Sequence, residues 1–331
     1  MEKKMSEIKI VAELCQNHNG DIKNVEEMVY LAAESGASHV KIQNINASMI
    51  SKRPQFELGV EIDGSTLAIK RPYQLEFDRL KKLELSHSDC EYFVRLCEKV
   101  NVVPLTTCFT HDSVQNIVDM GFKEVKVASY DCGSFPLIKR LAESFDKVHV
   151  STGASFNDEI IKMVNILKQS EVEYYLYHCV TIYPTPLDEM HLARLDFLRN
   201  ISGNEHVGLS EHSLYARDGV LASMAAIALG GTCIERHFTN LKPEQSKDGP
   251  VSIDAKGLRE LVEFSGMSKN DQIYALDQLL PNWQELMLGQ PDRKLSNLEL
   301  MNRDYFRGRF ASIRDGYGPE HMIFNWEQYD D

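Results

Sequence analysis

The spacing of hydrophobic and polar positions switches between two periods along the chain, and the switch recurs eight times. Short runs rich in Val, Ile, Leu and Cys predict strands over Lys9–Leu14, His39–Gln43, Val103–Phe109, Glu124–Ser129, Lys147–Thr152, Tyr174–Val180, His206–Ser210 and Thr232–Phe238. These runs are too continuously apolar for a sheet wet on one face and suit parallel strands covered on both. Apolar residues three and four apart predict helices over Val25–Ser35, Cys90–Lys99, Ser113–Met120, Phe135–Ser144, Asp158–Gln169, Leu192–Arg199, Arg217–Leu229 and Asp254–Leu279. Asn157 ahead of Asp158-Glu159 reads as a helix cap followed by acids that the helix dipole favours.

Eight strand–helix units in about 250 residues predict a (β/α)8 barrel over residues 1–280. An open doubly wound sheet is the runner-up, weakened because no glycine-rich phosphate fingerprint follows the first strand. Two segments depart from the repeat. Residues 45–88 read as a long loop after the second strand, on the face where barrels place active sites, and so as a candidate substrate lid. Residues 281–331 read as a C-terminal extension that packs on the barrel or on a partner subunit.

Composition narrows the partners. Among 331 residues, 36 Lys and Arg against 49 Asp and Glu give a net charge of −13. That excludes broad electrostatic binding to nucleic acid or an anionic membrane and leaves room only for a local basic pocket. No apolar run approaches the roughly 20 residues of a membrane span. The opening Met1-Glu2-Lys3-Lys4-Met5 lacks the apolar core of a secretory signal. Seven cysteines without zinc-type spacing read as buried thiols, so the expected location is cytoplasmic.

Polar residues at the carboxyl ends of barrel strands are candidates for chemistry, because packing does not demand them there. Along the chain these ends carry Glu13, Lys41 and Gln43, Thr107, Lys126 with Ser129 and Asp131, Ser151, His178 with Thr181 and Tyr183, Ser210 with His212, and Glu235 with His237. Lys41 and Lys126 lie inside apolar strands, where an unpaired ammonium is costly. Singly, each lysine pairs with an acid such as Glu13 or Glu235. Together with Ser129, Ser151 and Ser210 they point to an anion site, phosphate foremost. His212 and His237 end adjacent strands and form a candidate divalent-metal pair. His18, in the turn Asn17–Gly20, reads as a loop-shaping residue, and His178 as a core residue.

In order, Ala12-Glu13 with Gln16–Gly20, Val40–Gln43, Lys126–Ser129, Ser151–Gly153, His178-Cys179 through Tyr183–Pro186, Gly208–Ser213 and Glu235–Thr239 resemble the sialic acid (N-acetylneuraminate) synthase family over about residues 9–250. The resemblance implies a barrel enzyme that condenses phosphoenolpyruvate with an aldose such as N-acetylmannosamine. The products are a 3-deoxy-2-keto sugar acid and phosphate. It implies that Lys41, Lys126, Ser129, Ser151 and Ser210 hold phosphoenolpyruvate, with Thr107 near its carboxylate. It further implies that His212 and His237 bind a divalent cation, manganese foremost with magnesium or cobalt as alternatives. Glu13, Gln43 and Tyr183 would meet the sugar, and Glu13 or Asp131 would manage a proton.

Several positions depart from the family pattern. Asp131 stands where the family has Glu, and Thr181 where it has Asn. After Gly249-Pro250 comes Val251 in place of an Asp, with Lys247-Asp248 just before, so Asp248 becomes a sugar-side candidate. The family's C-terminal antifreeze-like domain, which reaches a partner's site with an arginine, is matched only by its linker and first strand, at Asn302–Asp304 and Arg307–Arg309. One of Arg303, Arg307 and Arg309 is the candidate substitute, and the domain's absence weakens the expectation of the family's swapped homodimer. The sugar-side changes imply a different aldose. The alternatives are an eight-carbon or other ulosonic acid from a shorter or non-amino aldose, and a non-catalytic barrel that binds sugar phosphates.

Overall fold

Strand order decides between the two architectures. A computed structural model describes residues 8–62, 65–314 and 316–329; the Met1–Met5 opening lies outside them. Its strands are β1 (Lys9–Cys15), β2 (His39–Gln43), β3 (Val60–Ile62), β4 (Ser65–Ala68), β5 (Val103–Cys108), β6 (Glu124–Val127), β7 (Lys147–Ser151), β8 (Glu173–His178), β9 (Val207–Glu211) and β10 (Cys233–His237). Eight of them close in the order β1-β10-β9-β8-β7-β6-β5-β2, with every neighbouring pair parallel. With helices between the strands this is a (β/α)8 barrel.

Closure explains the apolar runs. One set of side chains on each strand, such as Ile10, Ala12 and Leu14 on β1 or Val148 and Val150 on β7, joins the main core beneath the helices. The alternate set fills the barrel interior, and the buried polar residues Glu13, Lys41, Lys126 and Glu235 belong to it. Both sets are buried, so the strands look uniformly apolar except where chemistry interrupts them.

Three sequence expectations need correction. The helix expected over Arg217–Leu229 is two, Tyr215–Asp218 and Leu221–Ala228, because Gly219 between them takes φ +56°. The helix expected over Asp254–Leu279 is also two, Ala255–Ser265 and Lys269–Leu279, the second capped by Ser268. Asn157 opens its helix rather than capping it, and its side chain turns instead to Asp292 and Arg194.

Residues 45–88 are not a plain loop. They carry a short helix at Gln55–Leu58, the antiparallel β3–β4 hairpin and a helix at Tyr73–Lys81. The C-terminal segment is bound into the same body. Trp283 and Met287 sit in the main core. Arg303 donates to the Ala154 carbonyl at 2.5 Å and to Glu159 at 2.6 Å. Asn325 donates to the Phe109 carbonyl at 2.8 Å. Insertion and tail also meet each other. Arg53 donates to the carbonyls of Asp304, Tyr305 and Arg307, satisfying groups at the end of helix Asn297–Phe306. All seven cysteines are buried, and no helix among the described residues is long and apolar enough to cross a membrane.

Candidate active site

Midway up the barrel, four charges from four strands meet. Lys41 pairs with Glu13 and stands 3.0 Å from Glu235; Lys126 is 2.7 Å from the same Glu235 oxygen. Ser210 donates to the other Glu235 oxygen at 2.8 Å. Burial opposes every one of these charges, and pairing decides the outcome. Burial disfavours the Lys41 ammonium, yet the two carboxylates raise its pKa. Burial and the neighbouring Lys41 lower Lys126, against the pull of Glu235. Glu235 is held well below the usual carboxylate range by both lysines despite its burial. Glu13 goes the other way, raised first by burial, with repulsion from Glu235 adding to it. Beneath the pair, the Lys126 ammonium sits 3.7 Å from the centre of the Tyr177 ring, a cation–π contact.

One layer higher, at the mouth, His212 and His237 lie side by side, ring centres 5.0 Å apart. Burial, then the neighbouring His237, keeps His212 in its neutral form. His237 Nδ1 is buried without a hydrogen-bond partner. A ring nitrogen of His237, Cys15 Sγ and an Asp248 oxygen all lie within 4.8 Å of one another, with Cys15 3.0 Å from Asp248. Imidazole, thiol and carboxylate gathered this closely, on a ring whose Nδ1 has no hydrogen-bond partner, fit a divalent transition-metal ion. Tyr183 closes the pair from outside, its ring edge-on to His212 at 4.4 Å.

The remaining predicted residues line the same rim with different partners. Thr107 is buried on β5, in register with Lys126 and, on its other side, with half-buried Gln43. Ser151 ends β7. The turn after it brings the Gly153 N–H to 3.3 Å from Ser129 Oγ. A Cβ at Gly153 would stand 2.8–2.9 Å from Thr181, Cys179 and Ser129, so only glycine lets these three segments close up. Thr181 is buried with its hydroxyl unpaired, while its carbonyl accepts from Asn302 of the tail at 2.7 Å. Asp131 is turned away from the lysines: its carboxylate accepts from Ser134 and Asn325, each at 2.9 Å. Burial, opposed by these two donors, raises its pKa to about 6.

His18 holds its own turn, accepting from the Gly20 N–H at 3.0 Å, and His178 is a core residue 2.8 Å from the Met190 carbonyl. Arg303 and Arg307 are both engaged with Glu159, whereas Arg309 pairs at 2.7 Å with Glu76 on the insertion. Sequence reasoning missed Cys15. It continues an apolar strand, and only the positive φ of 49° at that residue announces that the chain turns it toward the mouth.

Comparison with known proteins places the chain in a family. The N,N'-diacetyllegionaminic acid synthase of Campylobacter jejuni is 31% identical over 268 residues, covering 78% of this chain and 75% of that protein. The enzyme of the same name from Legionella pneumophila is 28% identical, covering 92% and 80%. The crystal structure of an N-acetylneuraminic acid (sialic acid) synthetase from Leptospira borgpetersenii, in complex with citrate, matches with a TM-score of 0.66 over 91% of each chain at 23% identity, a likeness of fold. A family model described as the NeuB family matches residues 28–270. Through that match and the first of these relatives, the chain belongs to the NeuB family.

Proposed function

We propose that this barrel condenses phosphoenolpyruvate with an aldose, of the N-acetylmannosamine type or a variant of it, to give a 3-deoxy-2-keto sugar acid and phosphate. The observation that carries the reading is the stacking of two buried lysines and a serine below the paired imidazoles of His212 and His237. Lys41 and Lys126 take the phosphate, trading part of their pairing with Glu13 and Glu235 for phosphate oxygens. Ser129, Ser151 and Ser210 add hydroxyl donors, and Thr107 stands by the carboxylate. A divalent cation on His212 and His237, manganese foremost with magnesium or cobalt as alternatives, supplies Lewis-acid polarisation of the aldehyde when bound.

The methylene carbon of phosphoenolpyruvate bonds to the aldehyde carbon, whose oxygen takes up a proton to become a hydroxyl, and the neighbouring carbon gains positive character. Water adds there and gives one proton to a carboxylate, which replaces the proton taken by the aldehyde oxygen. The new hydroxyl then loses its remaining proton as its oxygen forms the ketone and the carbon–oxygen bond to phosphate breaks, phosphate leaving with the electron pair and the proton. The lysines face the departing charge without having to reorganise. Glu13 suits the proton transfer, because it stands beside Lys41 and burial raises its pKa above the ordinary carboxylate value. Asp131, hydrogen-bonded to the tail, supports the rim instead. Gln43, Tyr183 and Asp248 face the sugar. An aldose unlike N-acetylmannosamine is the favoured variant, since Thr181 and Val251 depart from the family pattern on the sugar side.

Incubation with phosphoenolpyruvate, manganese and a panel of amino- and non-amino-aldoses, reading phosphate release, tests the proposal. Release with at least one aldose, lost in His237→Ala, is expected. Phosphoenolpyruvate binding without release for any aldose would support a sugar-phosphate-binding barrel.

A further inference from the structure

We propose that the floor of the barrel holds a second divalent-cation site, built by His39, Glu124 and His149. Barrel interiors are ordinarily packed with branched apolar side chains. Here β2, β6 and β7 each contribute a polar residue instead, and all three are buried, at 1%, 6% and 0% exposure. His39 precedes Lys41, and Glu124 precedes Lys126, by two residues on the same strands, so the group lies one layer beneath the lysine cluster.

The two imidazoles converge on a single atom. His39 Nε2 lies 3.3 Å and His149 Nε2 2.8 Å from the same Oε2 of Glu124, and the three donor atoms all lie within 4.8 Å of one another. Neighbouring donors in a tetrahedral zinc site, with bonds of about 2.0–2.1 Å, stand about 3.3 Å apart. The His39 edge already has that length, and the His149 edge opens by about half an ångström. Every donor also has an outer partner. His39 Nδ1 is 2.8 Å from Ser38 Oγ, His149 Nδ1 is 2.8 Å from the Tyr177 hydroxyl, and the second Glu124 oxygen is 3.2 Å from Lys147 Nζ. Metal-ligating histidines and carboxylates are typically oriented by such outer hydrogen bonds.

The electrostatics agree. Burial lowers both histidines, His149 to about 4, which favours the uncharged imidazoles a metal requires, while Glu124 stays ionised beside them, so that a cation replaces the two Nε2–H donors. Lys147 opposes a cation, but its side chain is 28% exposed and is shared with Glu173 at 3.6 Å. Two imidazoles and one carboxylate suit zinc or a similar borderline ion rather than magnesium or calcium. The inference is independent of the reaction proposed at the mouth.

The test uses the full chain carrying His212→Asn and His237→Asn, stripped by chelator and titrated with cobalt or zinc. About one bound equivalent is expected, with visible cobalt absorption and a higher melting temperature in zinc. Adding Glu124→Gln should abolish that equivalent without changing the circular dichroism of the metal-free protein. Should that variant fail to fold, His39→Gln in the same background carries the same expectation. A folded His212→Asn/His237→Asn protein that binds neither cation overturns the proposal, leaving a hydrogen-bonded network. Binding that persists unchanged after Glu124→Gln overturns it as well.

Discussion

Lys126 stands between two demands: its ammonium balances Glu235 in the resting site, and the proposed reaction borrows it for phosphate. Lys126→Ala should raise the KM for phosphoenolpyruvate roughly 10- to 100-fold, the range for losing one charged hydrogen bond. Saturation at the wild-type concentration would remove the phosphate from this lysine. Glu13 must be ionised to take the water's proton, and burial has raised its pKa. Turnover should therefore fall as pH drops through that raised pKa, and Glu13→Gln should remove that limb of the profile. Asp131 makes a separate prediction about stability. Its pKa of about 6 in the fold exceeds the model-peptide value of 3.8. The folded state thus holds the proton more tightly, and ionisation costs stability as pH rises from about 4 to 6. Asp131→Asn should weaken that decline, measured by thermal melts across the window; an unchanged slope would mean that another group titrates there.

At the scale of elements, the turn after β7 and the C-terminal segment carry the site's outer wall. Gly153→Ala forces a Cβ into Ser129, Thr181 and the Cys179 carbonyl at once. It should cost about 1–3 kcal/mol of stability, as overpacking does, and weaken phosphoenolpyruvate binding with it. Denaturant melts and a binding titration on the same variant check both. The tail's role was only partly visible beforehand. Its sequence, rich in Pro, Asn, Arg and aromatic residues, marks it as something other than another strand–helix unit. That Asn325 reaches Asp131 and Asn302 reaches Thr181 depends on contacts across roughly 120 to 195 positions, which no local pattern encodes. Likewise the two broken helices have the correct apolar spacing on both sides of the break; Gly219 and the Ser268 cap were the available signs.

For the whole molecule, the placement of Trp283 in the main core makes barrel and C-terminal segment one cooperative body. With Trp326→Phe, Trp283 fluorescence should report an unfolding transition that coincides with far-ultraviolet circular dichroism. An earlier fluorescence transition would show the segment melting by itself. The sequence by itself determined the eight-fold alternation, because two buried faces demand continuous apolar strands and helices demand a 3.6-residue period, while closure into a barrel rather than an open sheet was decided by strand order. It also marked Lys41, Lys126, His212 and His237, because charged or imidazole groups inside apolar strands must have a purpose. Tertiary structure decided which acid answers which lysine, since Glu13, Lys41, Lys126 and Glu235 meet only when the sheet closes. It alone brought Cys15 and Asp248 to His237, and gathered His39, Glu124 and His149 below them. Each of those residues reads as an ordinary strand or loop position until closure sets the distances between strands, and distance is what converts a residue type into a site.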